Sequence, residues 1–554
     1  MAKVSKALLV LLALVLAGCA GQYPPTGGPI DTTPPKITMS SPTPNQLNFT
    51  SREIRLKFDK YMVRRTVESA IFFPPYSLDD LKFDWSGKEV SIKVEKPLAK
   101  DRTYILTIGA RAQDDHGNYL GKAINIVFST GAQIDTGMIS GQIYAPKPEP
   151  YTVAAYQVTP DIDTLRPYLT LPRYITQSDD SGRYVLQGLA DGKYRLICFD
   201  DQMRNFLYAP QIDLYSSAVH DVEVTQTDRK VPGVDFIVAK EDTSRPQLYS
   251  ASLANDGLIL LKFSEPLDTS YLSPSYFVVR DSATDRTLPV DFAARLESNQ
   301  YNVVIRTTEP IKFHRKYFIT ATDSLRDTYH NLMSVGNNMQ VFLPDSVSSN
   351  VAPYYFNFPD SLKGVTTYDT VFCQFVIPSI NGVRTNPSVT LLDSVGKALP
   401  GLIGRASGTV FSVDLNRLKP SEWYTLNLDY NTDSSGTQID SVVKRSFMTV
   451  DSSLLGELEG NVTPVIPGRR VIVAAMNERG KVFYTHADSD GAFRMDGILS
   501  GVYNVRAYVQ HGRGMTYFNG RSFPYRFAEP FGVYPNDVKI RARWTTEGVV
   551  INLH

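Results

Sequence analysis

The stretch 179–196 (DDSGRYVLQGLADGKYRL) recurs without a gap at 488–505 (DSDGAFRMDGILSGVYNV). A self-match of this length limits the fold more than any single residue does, because each copy must be one recurring structural unit. Gly182 pairs with Gly491, Tyr184 with Phe493, Gly188 with Gly497, Gly192 with Gly501, and Tyr194 with Tyr503. An Asp-rich turn that closes on Gly supplies the positive φ of a tight reversal. An aromatic side chain then enters a core, and a Gly-x-x-x-Gly connection leads into the next strand. A strand opening with Gly precedes each copy, at 137–144 and 456–462. The pattern describes a pair of hairpins.

A second repeat joins 103–118 (TYILTIGARAQDDHGN) to 316–331 (KYFITATDSLRDTYHN), with Tyr104 on Tyr317, Asp114 on Asp327 and Asn118 on Asn331. Similar strands precede both, at 54–59 (IRLKFD) and 259–264 (ILLKFS). A weaker third copy lies at 423–437, preceded by 370–375. Closing strands follow at 126–130, 339–343 and 446–450. The spacing of about 100 residues suits a β-sandwich.

Elsewhere apolar residues alternate with polar ones, as in 54–58 and 503–507, the signature of half-buried antiparallel strands. Helical periodicity is nearly absent, with short helical turns expected near 63–69 and 270–276. The 31 Tyr and 35 Pro suit exported all-β modules. With 554 residues the chain exceeds one ordinary core. Lys+Arg and Asp+Glu both total 57, which argues against a nucleic-acid footprint and against general attraction to anionic lipid. Cys198 and Cys373 sit in apolar runs of separate units and read as buried thiols without a disulfide.

Catalytic signatures are missing: no Gly-x-Ser-x-Gly elbow, no His-Glu-x-x-His and no phosphate loop. The expectation is therefore a non-enzyme without cofactor or metal. The seven His show no ligand spacing, and His116 and His330 read as surface turn residues. The pairs Asp79-Asp80, Asp114-Asp115, Asp179-Asp180 and Asp200-Asp201, with Asp488 and Asp490, read as turn chemistry; Ca²⁺ held between loops is the other reading. The most conspicuous aromatic cluster lies near the end: Tyr525, Phe527, Phe531, Tyr534 and Trp544, with Tyr517, Phe518 and Phe523 before them and arginines interleaved. Two readings stand: core and edge strand of the last unit, or a partner surface. A closing strand near 548–553 offers an edge to a partner strand.

Several segments resemble known families. Leu16-Ala17-Gly18-Cys19, after a basic start and an apolar run, resembles the bacterial lipobox. That resemblance implies cleavage before Cys19 and lipidation of Cys19. The run is too short for a stable membrane-spanning helix. DSGRYVLQGLADGKYRL resembles the carboxypeptidase regulatory-like, or transthyretin-like, β-sandwich, and the 103–118 type of repeat resembles bacterial Ig-like modules found beside S-layer proteins. The opening GCAGQYPPTGGPIDTTPPKITMSSP resembles a group of Bacteroidota outer-membrane lipoproteins. The expected fold class is all-β, a tandem array of these sandwiches. The expected boundaries are a signal peptide over 1–18, a Pro/Gly/Thr tether over 19–35 reaching roughly 50 Å if extended, an Ig-like domain over 36–132 and a transthyretin-like sandwich over 137–240. An Ig-like domain over 244–344, a divergent Ig-like domain over 351–450 and a second transthyretin-like sandwich over 455–554 complete the order.

Asp-Ser/Thr steps at Thr164, Ser282, Ser324, Ser346, Ser361, Thr370, Ser394 and Ser441 are similar to the O-glycosylation acceptor of Bacteroidota, and are also ordinary turn sequence. The resemblances imply lipid anchoring at the outer membrane. They leave the periplasmic face and the cell surface both open, because no acid precedes Asp31. The expected function is a non-catalytic scaffold or interaction subunit, a rod of sandwiches working with an outer-membrane β-barrel or envelope complex for assembly, export or secretion. A surface glycan-binding lipoprotein is the alternative, weakened by the presence of only three Trp (Trp85, Trp423, Trp544).

Overall fold

The computed structural model describes residues 31–554, apart from 255–257, 313–314, 335–337, 344–350, 377–378, 381–382, 385–386, 431–441 and 512–513. Cys19, Leu16, Ala17 and Gly18 lie outside the described residues, as do Ser346 and Ser441. The fold class is the one read from the sequence: all-β, in a succession of mostly antiparallel sheets. The α-helix Arg64–Ser69 and the 3-10 turns Thr269–Tyr271 and Pro274–Tyr276 fall where short helical turns were expected.

In the first sandwich, a sheet ordered Ile37–Ser41, Glu53–Phe58, Glu89–Val94, Leu81–Ser86 faces one ordered Ile71–Phe72, Thr103–Ile108, Ile124–Ser129. Alternation sets the burial: Ile54, Leu56 and Phe58 point into the core while Arg55 and Lys57 stay in solvent. Fully burying each such apolar side chain is worth about 1.5–3 kcal/mol.

The second sandwich packs a sheet ordered Tyr174–Gln177, Thr152–Gln157, Gly192–Phe199, Leu214–Ser217, Ala239–Lys240 against Arg183–Leu189 and Gly137–Tyr144. The last sandwich repeats this plan: Val482–His486, Val471–Asn477, Gly501–Val509, Phe531–Val533 over Ala492–Leu499, Leu455–Thr463, Thr545–Asn552. The long gapless repeat is thereby explained. Tyr194 and Tyr503 each donate their hydroxyl to a carbonyl four residues back, Ala190 O and Leu499 O, at 2.7 Å. Gly182 and Gly491 sit at φ +80° and +87°. A Cβ on Gly141 would lie 2.0 Å from Val234 O, and one on Gly460 2.2 Å from Val549 O, so both copies need glycine where a later segment runs alongside.

In the third unit the two layers merge into one eight-stranded sheet around a single core. Leu248–Leu253 pairs in parallel with Asn338–Phe342 and joins the layers. The fourth unit packs Tyr354–Phe356, Phe372–Phe375, Val410–Val413 and Ile403–Arg405 over Ser361–Val365, Val442–Thr449, Trp423–Asp429 and Ser388–Leu392. Cys198 and Cys373 are free thiols buried in separate cores; burial pushes Cys198 up and Cys373 up to about 12. They pack as small apolar side chains.

Candidate functional site

The chain does not run out as a rod. Between the last sandwich's strands Gly501–Val509 and Phe531–Val533, residues 510–511 and 514–530 belong to a strap that reaches the second sandwich. The strap is tied down at its root. His511 stacks on Phe518 with ring centroids 4.3 Å apart and places Nδ1 2.9 Å from Glu529 Oε1. Arg469 reaches the same carboxylate at 2.6 Å, and Tyr508 donates its hydroxyl to Met515 O at 2.5 Å. The tip closes as a hairpin in which Arg521 and Arg526 exchange backbone hydrogen bonds at 3.0 Å.

This tip and its flanks lie on the second sandwich. Ser217 N donates to Asn519 O at 3.0 Å, and Asn519 Nδ2 donates to Tyr215 O at 2.7 Å. Ala528 N donates to Ser217 Oγ at 2.7 Å, and Ser522 N to Glu241 Oε1 at 2.7 Å. Beneath them sits Arg195, only 4% exposed. It forks onto Asp221 at 2.9 and 3.0 Å and reaches Asp163 at 2.9 Å. The strap caps its guanidinium with two rings, Tyr525 at 4.3 Å and Phe527 at 5.1 Å. Arg166 lies 4.9 Å from the Phe523 ring. A cation–π contact shut away from water is worth about 2 kcal/mol, twice or more its value at an exposed site. The last sandwich also packs Ile472, Ala474, Tyr508 and Phe531 against Ile237, with Tyr144 edge-on to Phe531 at 6.1 Å.

The same insertion point in the second sandwich carries residues 200–213, between Gly192–Phe199 and Leu214–Ser217. That loop grips the first sandwich: Phe206 meets Phe72 at 5.0 Å and shares a cluster with Ile175. Ala110 N donates to Gln177 Oε1 at 2.8 Å, and Ile105 and Val127 join the second sandwich's core. Its carboxylates fold the loop rather than reach outward. Asp200 accepts from Leu214 N and Gln202 Nε2, Asp201 from Asn205 N, and Asp213 from Gln202 N and Ala209 N. Burial, with Asp200 close by, pushes the Asp213 carboxyl up to about 6.

Further contacts complete a circuit. Gln374 of the fourth unit accepts from Glu297 N at 2.8 Å and donates to Arg295 O at 2.7 Å in the third. Tyr368 meets Phe483 of the last sandwich at 5.2 Å, and Lys481 pairs with Asp369 at 2.6 Å. The strap then returns to the second sandwich. Two kinds of insertion therefore do the joining, one in each copy of the long repeat.

The sequence-predicted residues fall as follows. Tyr525, Phe527 and Phe531 lie against the chain's own second sandwich, the first two over Arg195 and the third beside Tyr144 and Ile237. The last unit's own core takes Tyr534 at its margin. Trp544 is 69% exposed. Trp85 bonds Glu68 at 2.8 Å and stacks on Phe58, and Trp423 lies under Lys363 at 5.8 Å. The terminal strand Thr545–Asn552 pairs in parallel with Leu455–Thr463 and lies at the sheet's edge. Thr164, Ser282, Ser324, Ser361, Thr370 and Ser394 are all exposed. The Asp turns are self-contained: Asp179 and Asp488 each accept with Oδ1 from the backbone N–H two and four residues on. Asp31, Asp114 and His116 come within metal-binding reach of one another, but Lys60 Nζ occupies the space, 2.6 Å from Asp31 and 3.1 Å from Asp114. Arg195 and Ser217 escaped sequence reasoning: Arg195 lies inside the long repeat at a position the other copy fills with Asn504, and Ser217 sits in no motif.

Residues 31–130 match the family model of a bacterial Ig-like domain. No curated protein matches. The solved structures similar to this chain include the N-terminal part of the bacterial S-layer protein SbsC, at 15% identity over 37% of this chain and TM-score 0.18. The chain spans 44% of that structure. A fragment of native α2-macroglobulin from Escherichia coli (domains MG0-NIE-MG1) is 12% identical over 49% of this chain and 95% of its own length, with TM-score 0.15. BcpA, the major pilin subunit of Bacillus cereus, is 8% identical over 76% of this chain and 99% of its own, with TM-score 0.13. Identities and scores this low carry nothing about what the chain does.

Proposed function

We propose that the chain is a lipid-anchored outer-membrane lipoprotein of the Bacteroidota type, acting as a non-catalytic scaffold subunit of an envelope assembly, export or secretion complex. The observation that carries this reading is the strap: the last sandwich is docked on the second through a caged Arg195, so the units support one another as a platform. Resemblance of residues 16–19 to a lipobox supplies the anchor. The first residue described, Asp31, is held by Lys60 and, through its carbonyl, by Asn118 Nδ2 at 3.0 Å. A tether ending there would transmit position from the membrane to the first sandwich. The exposed Trp544 and the terminal edge strand are both open to a partner.

The test is purification of the lipidated protein from its own membrane in mild detergent. The expected result is stoichiometric recovery of a β-barrel or assembly subunit. Recovery of the chain alone would refute the scaffold reading, and retention on polysaccharide would put glycan binding in its place.

A further inference from the structure

The two better-matched copies of the shorter repeat share a clasp. In the first sandwich, Asp114 Oδ1 accepts from His116 N at 3.0 Å and Asn118 N at 2.8 Å. Asn118 Nδ2 returns to Asp114 Oδ2 and also holds Asp31 O, both at 3.0 Å. In the third unit, Asp327 Oδ1 accepts from Tyr329 N and Asn331 N at 2.8 Å. Asn331 Nδ2 reaches Asp327 Oδ2 at 2.9 Å and Asp242 O at 3.2 Å. Each clasp thus fastens the segment that enters its own unit: DTTPPK at 31–36 and DTSRPQ at 242–247.

Structural register fixes which residue stands where. Ile37 pairs with Phe58, and Leu248 with Phe263. Met62 bridges Asp114, and Leu267 bridges Asp327. Lys36 N donates to Asp59 Oδ1, and Gln247 N to Ser264 Oγ. Lys60 and Glu265 are therefore equivalent, and the repeat has exchanged a cation for an anion at the heart of the clasp. In the first copy Lys60 neutralises Asp31 and Asp114, and the Asp114 carboxyl lies below its usual range, with Asn118 and Lys60 outweighing its burial. In the third unit no basic side chain among the described residues pairs with Glu265, and burial, with the charge of Asp242, pushes both Glu265 and Asp327 up.

One cation does arrive, from another unit. Arg521, at the tip of the strap, donates its Nη2 to Asn331 Oδ1. Its neighbour Ser522 holds Glu241, one residue before Asp242. We infer that Arg521 is the missing member of the third unit's clasp, supplied in trans by the last sandwich, so that the junction between the second and third units is locked only while the strap is docked. Asn331 is 7% exposed, so the guanidinium meets it largely out of water, where a charge-assisted hydrogen bond counts most. The first copy locks itself with its own lysine; the third delegates the lock, which makes the linker at 241–244 a reporter of whether the circuit is closed.

The test uses the full chain and amide hydrogen exchange at 327–331 and 242–244, with 114–118 as internal control. Arg521→Ala is expected to speed exchange at both third-unit segments by roughly tenfold, the scale of one charge-assisted hydrogen bond, and to leave 114–118 unchanged. Adding Glu265→Lys to Arg521→Ala rebuilds the self-contained clasp of the first copy and is expected to restore protection at 327–331 without Arg521. Unchanged exchange in Arg521→Ala would overturn the inference. So would failure of Glu265→Lys to restore protection in a chain whose third-unit core strands remain protected.

Discussion

Replacing both Tyr525 and Phe527 with Ala is the sharpest perturbation of the docked strap. Arg195 keeps its fork onto Asp221 and its bond to Asp163 in this variant, so the second sandwich retains its own ion pairs. What is lost is the pair of rings over a guanidinium that is 4% exposed. The Tyr525 contact at 4.3 Å is worth about 2 kcal/mol and the longer Phe527 contact about 1 kcal/mol. Burial of two half-exposed rings adds about 1–2 kcal/mol. The total, about 4–5 kcal/mol, shifts the docking equilibrium by roughly a thousandfold, at about 1.4 kcal/mol per decade. Exchange at three amides reads this directly: Ser217, whose N–H goes to Asn519 O; Ala528, which donates to Ser217 Oγ; and Ser522, which donates to Glu241. All three should lose protection together, while amides of the strand pairing Ile197 with Ala154 keep theirs. Retained protection at Ser217 and Ala528 would refute the claim that the rings over Arg195 hold the strap.

Three further outcomes are expected. Gly520 sits at φ +90° with its Cβ position 2.0 Å from Ser217 Oγ, so Gly520→Ala should undock the strap without touching any aromatic, giving the same loss of protection at Ser217 and Ala528. The Tyr156 hydroxyl is buried with no hydrogen-bond partner among the described residues, so Tyr156→Phe should stabilise the second sandwich by about 1 kcal/mol in denaturant unfolding; a loss of stability would show that the hydroxyl is satisfied. The Asp213 carboxyl is raised, so the folded loop binds a proton that the unfolded chain has already released. Its contribution is full below about pH 4, falls as pH rises to about 6, and stays lost above that. Asp200→Asn removes the neighbouring charge and should flatten this dependence, checked by exchange of the Ala209 amide, which donates to Asp213, between about pH 4 and 7.5; an unchanged profile would remove Asp200 as a cause.

What sequence alone determined is local. Alternation in 54–58 fixes which face of a strand is buried, and the glycines at 182 and 491 fix turns whose φ other residues resist, so strands, turns and repeated sandwiches could be read off directly. The paired Asp114 and Asp327 were legible as a repeat, because a carboxylate that binds its own turn needs only neighbours four residues away. Partners far along the chain were not legible. Ser217 and Ala528 lie 311 residues apart and show no motif, since a hydroxyl meeting a backbone amide leaves no pattern in composition or period. The aromatic run after Tyr517 left core and contact surface both open and named no target. Tertiary structure alone decided that Tyr525 and Phe527 close over Arg195, because a cation–π cage is defined by distance and desolvation, and both arise only when the units pack.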